Sequence, residues 1–384
     1  MARYFAAPGA TGNGLSWATV GDLQNLISTI LAAPSPTGDE IWARQGTYNL
    51  AGSPLSIVGN TAPLSIYGGF EGWENTLCDR NANISTPPTA AIPNYFPNPS
   101  ILDGGGAGGN RVIDMQNVNN ILIDGFIIQN GDAGGGEGGG IRISYSSIIR
   151  FENLVFMGNM ASLHGGGVYM TGTRNIMVKN SIFYDNHATN AAVGIGGGGF
   201  CTEDCYFVKF VNLLFNVNTG IGAAMFIIDS ENVEIVNNTI ADNVSTGTSD
   251  LYFLNAKEVN IYNSILYPDT LDIAPGPQTT NINVDYCYLL NLPLTPPPII
   301  NVNPNTTFIG LGNPFVFHAG GNYHLLNTAA PPNLCIDSGN TSVIFSISAT
   351  DLEGNPRLIN KGINPTPPAP QPTREVDMGA FEVQ

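Results

Sequence analysis

From residue 120 onward the chain alternates apolar and polar positions in short bursts that repeat. Six segments align without gaps: NILIDGFIIQN (120–130), IRFENLVFMGN (149–159), IMVKNSIFYDN (176–186), VKFVNLLFNVN (208–218), VEIVNNTIADN (233–243) and VNIYNSILYPD (259–269). The third position is always apolar (Leu122, Phe151, Val178, Phe210, Ile235, Ile261), and so is the eighth (Ile127, Phe156, Phe183, Phe215, Ile240, Leu266). These side chains are predicted to stack as columns inside a repeating coil. The fifth position reads Asp124, Asn153, Asn180, Asn212, Asn237 and Asn263, between two runs with strand-like alternation. Asparagine tolerates the left-handed backbone of a tight bend, and stacked amides can hydrogen-bond from coil to coil. A structural ladder at those six positions is therefore expected.

Successive fifth positions lie 29, 27, 32, 25 and 26 residues apart, so one side of each coil must absorb loops of variable length. A glycine run announces the next strand in GGGIRIS (from 138), GGGVYMT (from 165) and GGGFCTE (from 197), followed by the glycine-poor AAMFIID (from 223) and DLYFLNA (from 250). Each coil then offers three short strands, and the fold expected is all-β: a right-handed parallel β-helix, a three-sided solenoid. A leucine-rich repeat places its Asn three residues after an apolar position, whereas here it follows by two, as in Val178 to Asn180. Triple glycine also opposes the helices such a repeat needs. A propeller or sandwich would want antiparallel hairpin turns.

Strand edges at solenoid ends template aggregation and need covering. SWATVGDLQNLISTILAA puts Val20, Leu23, Ile27, Ile30 and Leu31 on one helical face, which predicts an N-terminal capping helix. The expected organisation is a single domain, 1–384. Residues 1–40 form an N-terminal strand and capping helix, 41–300 the coils with a loop insertion at 86–99, and 301–384 irregular last coils and a C-terminal cap. Proline-rich stretches at 292–305 and 363–375 interrupt that last part.

Composition fits this picture: 43% hydrophobic, 11% charged, with 46 glycines and 27 prolines, a turn-rich all-β balance. The net charge of -17 repels phosphate and anionic membranes, so nucleic acid is not an expected partner. No apolar run approaches the roughly 18 residues of a membrane span. The opening MARYFAAPGATGNG lacks the apolar core of a signal peptide, and a signal already removed is the expectation. The five cysteines, Cys78, Cys201, Cys205, Cys287 and Cys335, show neither CxxC nor zinc spacing and read as free or buried thiols.

RYFAAPGATGNGLSWAT, GDEIWARQGTYNL and SIYGGFEG near the start, with NYHLLNTAAPPNLCIDSGN, DLEGNPRL and VDMGAFE near the end, resemble the exported bacterial right-handed β-helix proteins of the pectate-lyase-like superfamily known as the choice-of-anchor Q type. The resemblance implies a secreted or surface-attached protein with the fold of polysaccharide lyases. It does not carry chemistry with it, because these stretches are structural and most members have no assigned activity.

β-Helix enzymes that act on polysaccharides bind the chain along an outer sheet flanked by long loops, here 131–140, 160–167, 187–199, 219–225 and 244–250. The polar candidates are Asp132, Glu137, His164 and His187 in the loops, with Arg142 and Tyr169 outward on adjacent strands about 4.8 Å apart. A lyase needs a base for the proton alpha to a uronate carboxylate and a cation or donor for the enolate. Tyr169 or His164 could supply the first. Arg142, or Ca²⁺ on Asp132 and Glu137, could supply the second, although no cofactor is required. A glycosidase would need a close carboxylate pair; Asp132 and Glu137 share a loop, but no polygalacturonase-like signature accompanies them. No Ser/His/Asp set, zinc spacing or phosphate loop is visible, and the N-x-[ST] matches at Asn83, Asn243, Asn305 and Asn340 are expected by chance. The leading expectation is an extracellular or cell-surface adhesion module that contacts polysaccharide or surface glycans without catalysis. A polysaccharide lyase on the same scaffold is the alternative.

Overall fold

The computed structural model describes residues 1–84, 95–190, 192, 194–247, 249–267, 271–292, 299–310, 312–317, 322–327, 333–340, 350–357 and 376–383. The proline-rich stretch 363–375 lies outside them, as do most of the 86–99 insertion and the centre of 292–305. One coil runs through Ile141–Ser144, Ser147–Glu152, Val155–Met157 and Met160–Ala161 before a glycine loop delivers Val168–Thr171. The described strands along the stack pair in parallel, as in Ile141↔Val168, Phe151↔Val178 and Phe156↔Phe183, with a shift in register between Trp42 and Arg44 where Asp39–Arg44 meets Leu64–Phe70. The first side is an eight-stranded sheet from Leu55–Val58 to Leu271–Pro275. The second and third sides join into one 19-stranded sheet, since Arg174–Tyr184 and Tyr206–Asn216 pass through the bend unbroken.

Every second residue faces inward. The rings of Phe156, Phe183 and Phe215 stack with centroids 4.6 and 4.5 Å apart and planes 6° from parallel, and Ile240 and Leu266 continue the column. The first repeat is displaced by one residue from the ungapped alignment: Phe151 pairs with Ile123 and Phe156 with Ile128. Leu122 and Ile127 therefore face away from the column, and Ile127 joins a second apolar cluster outside the barrel. The cause is local. Gly125, not Asp124, takes the left-handed conformation (φ 79°), so the corner falls one residue later and every side chain before it changes face.

Two Asn positions carry hydrogen bonds between coils. At the bend, Asn153, Asn180, Asn212, Asn237 and Asn263 all have φ between 49° and 57°. Asn153 Nδ2 donates to Asp124 Oδ1 (3.0 Å), Asn180 to Asn153 (3.4 Å) and Asn212 to Asn180 (2.9 Å). The run stops there, because Asn212 Oδ1 accepts from Arg357 Nη2 at 2.7 Å and Asn237 Nδ2 is buried with no hydrogen-bond partner among the described residues. The last Asn of the repeat forms a more deeply buried series, Asn159, Asn186, Asn218 and Asn243, each donating to the next side chain or to Asp250 over 2.9–3.2 Å. Each of these amides also donates to a main-chain carbonyl inside the coil, and each carbonyl oxygen accepts a backbone N–H of the coil before it.

The N-terminal helix Leu23–Ala32 closes the first coil by burying Leu23, Leu26, Ile27 and Ile30. Asp22 Oδ1 caps it by accepting Asn25 N–H at 2.9 Å, so Val20 falls before the helix. At the other end Ile300–Val302 and Phe308–Ile309 extend the stack. The described residues beyond them turn back along its flank. There Phe315, Tyr323, Ile336, Leu352, Met378 and Phe381 cover the outward row Val155, Ile182, Leu214 and Ile265 of the third side. An apolar outer row of that length requires a cover. Tyr95 and Phe96, which end the insertion, pack into the same cluster.

The flank holds buried charge. Asp377 accepts Asp337 N–H and Val383 N–H (2.7 Å each), yet burial pushes its carboxyl up to about 7. Burial also pushes Glu382 up, with Asp377 adding to the rise and Arg357 opposing it. A carboxyl whose folded pKa exceeds its unfolded value near about 4 holds its proton more tightly in the native state. Its stabilisation is complete below about pH 4 and is lost as pH rises through about 7. Between those limits the melting temperature is expected to fall more steeply with pH in the native sequence than in Asp377→Asn. Parallel slopes in differential scanning calorimetry would refute this.

Candidate functional site

The outward face of the first sheet gathers the chemistry-bearing side chains. Its register places Ser56, Asp114, Arg142, Tyr169, Cys201, Phe226, Tyr252 and Ala274 in one row. A second row holds Val58, Gln116, Ser144, Thr171, Glu203, Ile228 and Leu254. Polar residues occupy the N-terminal coils. Cys201, Phe226, Ile228 and Tyr169 bury one another higher up, with Tyr252 and Leu254 against them.

Arg142 and Tyr169 are register neighbours. Arg142 is held by Asp114 in a two-pronged ion pair, Nε to Oδ1 at 2.9 Å and Nη2 to Oδ2 at 3.0 Å. Arg111 approaches the same carboxylate at 3.6 Å; burial lowers its pKa, and the charge of Arg142 adds to the effect. The Tyr169 hydroxyl donates to Glu203 Oε2, and burial, then this hydrogen bond, push the phenol far up. His164 lies parallel to the Tyr169 ring, 5.8 Å between centroids and 17° between planes. Its Nδ1 accepts Gly196 N–H at 3.3 Å, which puts the ring proton on Nε2, and burial lowers its pKa.

Of the remaining candidates, Asp132 and His187 stand apart, while Glu137 lies close enough to the group to act on it. Asp132 spends both oxygens on backbone N–H groups, Oδ1 on Gly134 (2.8 Å) and Oδ2 on Gly108 (3.1 Å). Glu137 acts on Arg111 and His164 through its charge. His187 belongs to a short four-stranded sheet, in register with Met160 and Thr219, and pairs with Asp185 at 3.0 Å. Among the described residues no group of three or more His, Cys, Asp and Glu gathers as a metal site. All five cysteines are free, and four are buried. Asp114 and Glu203 complete the constellation and were legible in principle. IDMQ follows a glycine-rich stretch just as IRIS does, and Glu203 shares the outward parity of Cys201.

A family model described as a right handed beta helix region matches residues 107–267. Metabotropic glutamate receptor-like protein R of Dictyostelium discoideum is 24% identical over 246 residues, 63% of this chain; the chain spans 14% of that relative's length. Among solved structures, pectate lyase Pel9A overlays with a TM-score of 0.54 at 14% identity, covering 100% of this chain and 96% of that one. An alginate lyase from Paenibacillus sp. str. FPU-7 gives 0.41 at 11% identity, covering 80% of this chain and 100% of that one. Among the described residues no helix is long and apolar enough to cross a membrane. At such identities likeness extends to the fold alone, and the chain folds as a right-handed parallel β-helix with the architecture of that pectate lyase.

Proposed function

We propose that the protein is an extracellular or cell-surface β-helix module of the choice-of-anchor Q type that contacts glycans without altering them. The observation that carries this reading is the state of the first-sheet side chains. Arg142 is clamped by Asp114, the Tyr169 hydroxyl serves as a donor to Glu203, and His164 uses its free ring nitrogen on Gly196. A general base needs an open lone pair and a pKa near the working pH. Tyr169 lacks the second, because burial opposes its ionisation, and His164 lacks the first. The charge of the whole chain argues against nucleic acid as a partner.

Polysaccharide lyase is the second reading, favoured by one observation: Arg142, Tyr169 and His164 do come together on the sheet. The test is incubation with uronate and neutral polysaccharides, with and without Ca²⁺, following the ultraviolet absorbance of unsaturated products and the release of reducing ends. Neither signal is expected, while glycan arrays register binding. Turnover abolished by Tyr169→Phe or Arg142→Ala would overturn the module. The same Tyr169→Phe variant should lose about 1 kcal/mol of stability, since Glu203 is left without its donor.

A further inference from the structure

We propose that the C-terminal segments on the flank form a strap that comes off the solenoid as pH rises and uncovers the apolar outer row of the third side, while the coils stay folded.

The attachment of the strap is the first observation. Among the described residues no strand after Phe308–Ile309 joins the stacked sheets, and Phe315–Phe317 and Asn322–Leu325 pair with each other, antiparallel. The strap meets the coils through apolar packing and through polar contacts at the bends. Ala380 N–H donates to Thr239 Oγ1 at 3.0 Å, Gly379 N–H to Asn263 O at 2.6 Å, Asn340 N–H to Asn263 Oδ1 at 2.7 Å, and the Tyr323 hydroxyl to Asp242 Oδ2 at 2.8 Å. None of these is a strand-to-strand bond of the stack. The strap can therefore leave without breaking a sheet, the kind of local opening that costs less than global unfolding.

Charge inside the strap is the second observation. Asp337, Asp351, Asp377 and Glu382 are buried, and among the described residues Arg357 is the one cation buried with them. Asp351 is well supplied: Oδ1 accepts Glu353 N–H and Asn355 N–H, and Oδ2 accepts Asn355 Nδ2 and Glu382 N–H, all within 2.8–3.1 Å. Glu382 is not. Its Oε2 accepts Asp377 N–H at 3.2 Å and lies 3.7 Å from Arg357, while Oε1 is buried with no hydrogen-bond partner among the described residues. One guanidinium does not balance this set, and burial pushes the carboxyls of Asp377 and Glu382 up.

A way in for water is the third. His324, Leu325, Glu353, Asn355, Glu382 and Val383 line an open cavity of about 400 Å³ against the same cluster. At its rim both ring nitrogens of His324 face oxygen acceptors, Nε2 on Glu353 Oε2 at 2.9 Å and Nδ1 on Asn322 Oδ1 at 2.8 Å, as an imidazolium requires. The hydrogen bond to Glu353 raises its pKa against burial, and Asp351 adds to the rise.

The three groups act in one direction. A group whose pKa is raised in the docked state holds the strap down while it keeps its proton, and lets go as pH rises through the docked value. For the carboxyls this loss starts near about pH 4, and for His324 near about 6.5; Asp377 completes it at about 7. The other titratable groups facing them are Asp337 and Cys335 on the strap, with Asp242 and Tyr184 of the coils beside Tyr323. Burial holds the Cys335 thiol and the Tyr323 phenol protonated throughout.

The test is hydrogen exchange of the full chain at pH 5.5 and 8.5, corrected for the intrinsic pH dependence of amide exchange. Leu352, Met378 and Gly379 N–H should exchange at least tenfold faster at pH 8.5, since each proton released on opening raises the opening constant about tenfold per pH unit. Ile182 and Ile265 N–H, bonded to Leu154 O and Asn238 O within the coils beneath, should keep their protection, and an apolar dye should begin to bind over the same range. Asp377→Asn combined with Glu382→Gln should flatten the response. His324→Gln, at the rim, should flatten it above about pH 6.5 and serves where the buried double variant does not fold. Flank protection that ignores pH, or a native response in His324→Gln, would overturn the strap. Loss of protection in flank and coils together would overturn it too, because the molecule would then open as one unit.

Discussion

Arg357→Ala is expected to destabilise the protein by about 3–5 kcal/mol, the usual cost of removing one member of a buried ion pair. Arg357 is fully buried. Its guanidinium lies 3.7 Å from Glu382, donates to Asn212 Oδ1 at 2.7 Å and Gly379 O at 3.0 Å, and reaches Thr350 O from Nε at 3.3 Å. It therefore ties the returning C-terminal segments to the bend between the second and third sides. Without it Glu382, whose carboxyl burial already pushes up, loses the cation that opposed that rise and is held protonated, and the cover over Val155, Ile182 and Leu214 loses its anchor. Adding Glu382→Gln should recover part of the loss, since the carboxyl no longer has to take up a proton on folding. Urea unfolding measures both variants; a loss below about 1 kcal/mol for Arg357→Ala would mean that apolar packing alone holds the flank.

Asn186→Ala should cost a similar amount, on the order of 4 kcal/mol, whereas Asn180→Ala in the same coil should cost about 1. The Asn186 oxygen accepts Asn159 N–H at 3.2 Å and Asn159 Nδ2 at 2.9 Å, and its amide donates to Phe156 O and Asn218 Oδ1 at 3.0 Å each. Truncation removes all four bonds from a dry interior; Asn159 Nδ2 keeps Ile128 O and Asn218 Oδ1 keeps the Asn186 backbone N–H, while the Asn159 N–H loses the partner named here at about 1–3 kcal/mol and the other lost bonds add about 1 kcal/mol each. Asn180 is half-buried and exchanges one bond of 3.4 Å and one of 2.9 Å with its neighbours, so water can replace what is lost. Hydrogen exchange should show the Asn186→Ala loss concentrated in the adjoining coils, because repeats in a stack couple chiefly to their neighbours. Equal losses for the two variants would contradict the contrast in burial.

The bend asparagines were legible because a left-handed corner in every coil leaves a strict residue preference. The second, more buried series at Asn159, Asn186, Asn218 and Asn243 was not distinguished from it, since an amide that turns a corner and one that fills the interior look alike in a string of letters. The one-residue displacement at Asp124 and Gly125 was hidden for a related reason: Leu122 and Ile123, like Ile127 and Ile128, are both apolar, so either parity satisfied the pattern. Arg142 beside Tyr169 was readable from alternation. That Asp114 clamps the arginine and Glu203 takes the tyrosine hydroxyl required the register across four coils.

The sequence by itself determined the solenoid: its coil length, its two inward columns, its corner asparagines and its capping helix follow from periodicity and local backbone preference, which act over a few residues. Tertiary structure alone decided three things. It laid the C-terminal segments along the flank, because the apolar outer row that calls for them exists only once the coils are stacked. It fixed the protonation preferences of Tyr169, His164 and Asp377, which depend on burial among residues distant in sequence. And it gathered Asp351, Arg357, Asp377 and Glu382 into one buried cluster, because segments apart in sequence meet only where the flank folds against the coils.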